Sequence, residues 1–118
     1  MKKLILLTLV LIVTNVAAAQ TVLTKYVYSD TEYLLEERTH SGELVQTVDV
    51  TGSFKTWKSY YNNGKVMAVG YTRGTNRVGR WLYYNATGSL ELILVYKDNN
   101  LIKYEKRISP PSSLLATR

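Results

Sequence analysis

One histidine, a neighbouring serine and a few carboxylates are all the conventional acid–base and nucleophilic chemistry this chain offers. His40 and Ser41 sit in the stretch THSGE, Glu43 follows them, and Glu36 and Glu37 stand side by side upstream. A Ser–His pair needs the base aimed at the hydroxyl through space, and adjacency in a turn does not supply that. On a strand, consecutive carboxylates point to opposite faces, so Glu36 and Glu37 are poorly placed to share a proton. With a single histidine and no cysteine there is no ligand set for zinc or a related ion. The stretch GYTRGTNRVG combines Gly and Arg but lacks the Lys–Ser/Thr ending and the following helix of a phosphate loop, so it reads as a hairpin connection. Asn85-Ala86-Thr87 matches a glycosylation sequon, which matters only in a eukaryotic secretory path. The expectation is a protein that is not an enzyme, with no catalytic residue, no metal and no cofactor.

The elements behind these residues begin after a leader. Met1-Lys2-Lys3 is a basic start, Leu4 to Val13 is almost wholly apolar, and Ala17-Ala18-Ala19 places small residues before Gln20. This is the pattern of a secretory signal peptide over 1–19, cut near Ala19-Gln20. A membrane anchor is the alternative, but Thr14 and Asn15 interrupt a run already shorter than the roughly 20 residues a helical span needs. Because no cysteine follows, a lipoprotein anchor is excluded, and the exported chain must fold without disulfides. The expected location is the periplasm or the medium. The remainder, about 100 residues, suits one small domain.

Charge is unevenly laid along the chain. Residues 20–50 hold two basic and six acidic side chains, a net −4, whereas residues 51–118 hold eleven basic and three acidic, a net +8. Chance placement over a solvated surface is one explanation of this. The sharper reading is a basic end that meets an acidic partner.

The stretches WKSYYNNG, from Trp57, and WLYYNATG, from Trp81, repeat one signature 24 residues apart. Trp57, Tyr60 and Gly64 align with Trp81, Tyr84 and Gly88. After each Gly comes a strand-like run carrying a tyrosine near its end, Tyr71 and Tyr96, the second run being one residue longer, as a β-bulge would allow. Trp and Tyr suit a pleated, half-buried surface, and the Asn–Gly pair supplies turn chemistry, so the unit reads as a β-hairpin. Upstream, HSGELVQTVDVTG gives a degenerate copy with Leu35 and Arg38 in the Trp and Tyr positions. The whole is expected to be all-β, an antiparallel meander of about eight strands over 22–29, 32–39, 43–50, 53–61, 65–73, 79–85, 89–97 and 101–107. The domain would run over 20–108, and the proline-bearing end, 109–118, would be a flexible tail.

The residues Trp57, Tyr60, Asn63, Gly64, Tyr71, Gly74, Gly79, Trp81, Tyr84, Gly88 and Tyr96 give a pattern that resembles the MORN repeat variant, the YwqK-type family often labelled antitoxin-like. Two units match well, a third weakly, and together they cover about 42–100. The Gly expected after Tyr96 is replaced by Asp98-Asn99-Asn100. The resemblance implies a single-layer sheet of successive hairpins, a scaffold or interaction role, and no enzymatic activity.

The repeated aromatics Trp57, Tyr60, Tyr71, Trp81, Tyr84 and Tyr96 are expected to form cross-strand ladders, with Gly64 and Gly88 making the turns. A candidate binding surface comprises Lys58, Tyr61, Lys65, Arg77, Arg80 and Tyr83, with Tyr61 and Tyr83 expected at the surface because they fall outside the strict repeat. Cations interleaved with aromatics also suit single-stranded nucleic acid, but export argues against that partner. The partner expected is a protein or an anionic envelope surface. The alternative is a structural module that associates with itself through open sheet edges.

Overall fold

Six of the seven described reversals from β2 to β9 hold a glycine, or the pair Asp98-Asn99, whose backbone turns left-handed. The computed structural model describes residues 5–13 and 21–107. The junction near Ala19-Gln20 and the tail 109–118 lie outside them. Among the described residues nine strands follow one another: β1 Ile5–Val13, β2 Thr21–Val27, β3 Glu32–Thr39, β4 Leu44–Thr51, β5 Phe54–Tyr60, β6 Val66–Arg73, β7 Asn76–Tyr84, β8 Leu90–Lys97 and β9 Asn100–Lys106. They form one antiparallel sheet whose spatial order is the sequence order, β1 to β9, with β1 and β9 at the edges. The eight strands read from the sequence are β2–β9. The ninth, β1, lies within the stretch 1–19 read from the sequence as a signal peptide, and it pairs with β2 from Ile5↔Val27 to Val13↔Thr21.

The hairpin repeat is visible in the backbone. Thr39, Tyr61 and Asn85 each donate to the carbonyl four residues on, and Gly42, Gly64 and Gly88 each donate back to those same residues. The three glycines have φ of +93°, +85° and +98°. On the other side of the sheet, Thr51↔Phe54, Arg73↔Asn76 and Lys97↔Asn100 close two-residue reversals. Gly52 and Gly74 open the first two at φ +61°, while Asp98 and Asn99 take +48° and +69° in the third. Asp and Asn tolerate that region better than other side chains, so the missing glycine is replaced by chemistry of the same kind.

The structure corrects the internal alignment. Paired residues across a hairpin share a face, and Trp57 pairs with Gly70 whereas Trp81 pairs with Leu94. Tyr96 is therefore the equivalent of Thr72, and in the first unit of Val50. All three are buried, at 9, 8 and 3% exposure. Tyr71 lies on the opposite face. The register shifts after Ser59 and after Tyr83 match one another, and Thr72 and Tyr96 each stand eight residues after their turn glycine, so the second run is not longer. A bulge lies instead in β7, where Val69 pairs with Leu82 but Tyr71 with Val78, around Gly79 at φ +71°. The stretch 76–78, left from sequence between the strands 65–73 and 79–85, is consequently strand, with the bulge after it.

Little of this sheet is enclosed. Among the described residues the buried apolar side chains are Val48, Val50, Ile93 and Tyr96, and none falls below 2% exposure. The radius of gyration, 17.4 Å, exceeds the roughly 13–14 Å of a compact domain of this length. Cohesion rests on neighbour-to-neighbour ladders, each favourable cross-strand pair contributing about 0.2–1 kcal/mol.

Candidate functional site

Register divides the side chains between two faces. The tryptophan face carries Val48, Val50, Trp57, Gly70, Thr72, Trp81, Tyr83, Leu94 and Tyr96 across β4–β8. The Trp81 ring lies against the Gly70 backbone and occupies the place of a side chain there. Its Nε1 donates to Tyr71 O at 3.1 Å, and Trp57 Nε1 donates to Thr72 Oγ1 at 2.9 Å. Trp81 and Tyr96 meet edge to face at 6.2 Å between ring centroids. Arg77 lies over Tyr96 at 4.4 Å, donates to its hydroxyl at 3.1 Å, and donates from Nε to Asn99 Oδ1 at 3.1 Å. Both indole N–H groups and the Arg77 guanidinium are thus engaged within the fold. Burial, with the nearby Tyr96 adding to it, pushes the Tyr83 hydroxyl up from its ordinary value, and Arg77 partly opposes this.

The opposite face carries hollows of its own. Phe54 stacks on Tyr71 at 5.9 Å, and together with Val78 and Leu82 they line a shallow apolar hollow. A second hollow has Ile93 and Val95 as its floor and Lys103 and Glu105 at its rim. Arg80 borders both hollows. Lys58 is on this face in the row Lys58, Val69, Leu82, Ile93, Glu105, and Arg73 stands over Phe54 at 5.8 Å.

The six residues read from sequence as a binding surface do not form one patch. Lys58 and Arg80 are exposed on the opposite face, while Arg77 and Tyr83 belong to the tryptophan face. Tyr61 and Lys65 sit in the 61–65 reversal. Tyr61 is half-buried and donates its hydroxyl to Tyr84 O at 2.6 Å, and Asn63 Nδ2 donates to Ala86 O at 2.8 Å, so this reversal is tied to the next one. Tyr83, expected at the surface, is also half-buried. The repeat residues Tyr60 and Tyr84 are half-buried at the matching register shifts. Sequence reasoning missed Arg73, Lys97 and Lys103, which alternation places on the same face as Arg80. Counting parity from Ile93 along β8 and across to β9 finds two of them.

The residues with conventional chemistry are dispersed. His40 is exposed in its reversal, and Ser41 Oγ hydrogen-bonds Thr39 Oγ1 at 3.0 Å. Glu36 and Glu37 face opposite ways, and Glu36 instead accepts from Arg38 Nε, which holds the Arg38 guanidinium above its usual range. Among the described residues no three of His, Cys, Asp and Glu gather into a metal-holding group.

Set beside known proteins, the chain matches no family model, no curated protein and no solved structure.

Proposed function

We propose that this protein is a non-catalytic, exported repeat module of the MORN-variant kind that binds an anionic envelope surface through the face carrying Arg80. One observation carries the reading. Because strand order equals sequence order, the uneven charge of the chain becomes a gradient across the sheet, acidic around β2–β4 and basic from β5 to β9. At the basic end, Lys58, Arg73, Arg80, Lys97 and Lys103 share one face with two apolar hollows. Cations beside shallow apolar ground suit a surface of anionic headgroups, where charge attracts and the hollows take apolar contact. The three hairpin units support the family reading, and the leader supports export.

The test is co-sedimentation of protein recovered from export-competent cells, its N-terminus read by mass spectrometry, with anionic and with zwitterionic vesicles. Binding to the anionic vesicles should weaken as ionic strength passes about 0.15 M, where the screening length is about 8 Å. The double reversal K58E/R80E should abolish it. Equal binding to both vesicle types, or binding indifferent to salt and to K58E/R80E, would overturn the proposal. An intact Met1 would remove the export half of it.

A further inference from the structure

The edge strand β9 is exposed along its whole length, and it carries three of the four large apolar side chains exposed among the described residues: Leu101, Ile102 and Tyr104, at 54, 60 and 63%. Its backbone has a free side. Arg107 N–H donates to Glu91 O, and Glu105 and Lys103 pair with Ile93 and Val95 at the intervening positions. Alternation in the regular part of the ladder then turns the N–H and C=O groups of Tyr104 and Lys106 away from the sheet, and the register shift between Lys103 and Leu101 leaves Ile102 without a partner in β8. A cationic edge strand is usually read as a guard against association. Here the charges do something more specific.

We infer that β9 pairs antiparallel with β9 of a second copy of this chain, with Tyr104 opposite the partner's Tyr104, so that two sheets join into one. In that register Lys103 stands across from the partner's Glu105 and Glu105 across from the partner's Lys103. Ile102 meets the partner's Lys106, and Leu101 the partner's Arg107, so aliphatic stems cover apolar side chains and no like charges oppose. The outward groups of Tyr104 exchange two backbone hydrogen bonds across the junction, and those of Lys106 reach the partner's Ile102 at the register shift. One register step to either side sets Lys103 against Lys103 or Glu105 against Glu105, and like charges directly opposite are destabilising. The charge pattern of β9 therefore selects one register. The exposed pair Arg107–Glu105, at 4.0 Å within the chain, is too weak to compete. The symmetry closes the assembly at two copies on this edge. A junction of two strands is smaller than a full-size interface, so micromolar affinity is expected. This inference goes beyond the surface-binding proposal and does not depend on it, since the assay contains no vesicles.

Sedimentation velocity over a concentration series measures it, on the same export-recovered protein. The native chain should dimerise reversibly. K103E alone, or E105K alone, should weaken the dimer about tenfold or more. The double variant K103E/E105K should restore native affinity, and an equimolar mixture of the two single variants should associate as well as the native chain. Circular dichroism will show each variant folded, because both positions are exposed. A native chain that stays monomeric at the highest soluble concentration overturns the inference. So does a dimer indifferent to K103E, which would place the junction elsewhere, or a failure of the mixture to recover association.

Discussion

The Trp81 indole rests directly on Gly70, two strands away from the Trp57 side chain that flanks the same glycine across β5 and β6. An added methyl at Gly70 would collide with the ring itself, whose Nε1 is fixed to Tyr71 O and whose edge is held by Tyr96. Gly70→Ala should therefore destabilise by about 1–3 kcal/mol, the usual range for overpacking. Thermal denaturation would measure this, and tryptophan emission should shift as Trp81 is displaced into water.

Thr72 is a buried hydroxyl whose visible partner is Trp57 Nε1. Thr72→Val keeps the shape and leaves the indole N–H without its acceptor. The expected loss is about 1–3 kcal/mol, read by urea denaturation. Thr72→Ser keeps the acceptor and should lose less.

Tyr83 gives a pH signature. Its hydroxyl is pushed above its ordinary value near 10, first by burial. Below that value both folded and unfolded chains keep the proton, so the group has no effect on stability. Above it the unfolded chain releases the proton first, so the unfolded state binds fewer protons and stability falls as pH rises towards the folded value. Denaturant midpoints measured from pH 8 upwards should decline beyond about pH 10, and Tyr83→Phe should flatten part of that decline.

The two kinds of reversal should respond oppositely to substitution. Gly74 has φ +61° and open space where a Cβ would go, so Gly74→Ala tests backbone strain alone and should cost about 1–2 kcal/mol. Asp98 has φ +48° in the equivalent place, and Asp98→Gly should stabilise by up to about 1 kcal/mol. Thermal midpoints of the two variants should move in opposite directions.

The hairpins were legible because strand and turn preferences are local. Trp57, Tyr60 and Gly64 announce a strand and a reversal within eight residues, and the copy at Trp81 says so twice. The division into faces was legible up to the first bulge. Within β7 strict alternation sets Trp81 and Tyr83 on one face and Leu82 on the other, and it ends at the register shift after Tyr83. Tyr71 and Tyr96 were matched by residue type, yet the pairing of Trp57 with Gly70 and of Trp81 with Leu94 puts them on different faces. The bulge around Gly79 leaves a glycine in the sequence but no sign of whether that glycine turns the chain or shifts a register. For the same reason the six proposed binding residues scattered. Nearness along a strand carries half its neighbours to the other side of the sheet, and the fixed roles of Tyr61 and Arg77 depend on partners 19 to 23 residues away.

The uninterrupted order from β1 to β9 also governs how the chain can come to be folded. Each strand finds its neighbour in the segment made just before it, so no pairing waits for a distant part of the polypeptide. Closing such short loops costs little entropy, and sheets are slow to form chiefly when their partners are far apart in sequence. A chain entering a new compartment end first could add one hairpin at a time to a growing sheet. Besides the first strand, the one left open at each moment would be the newest, and the last of these is β9.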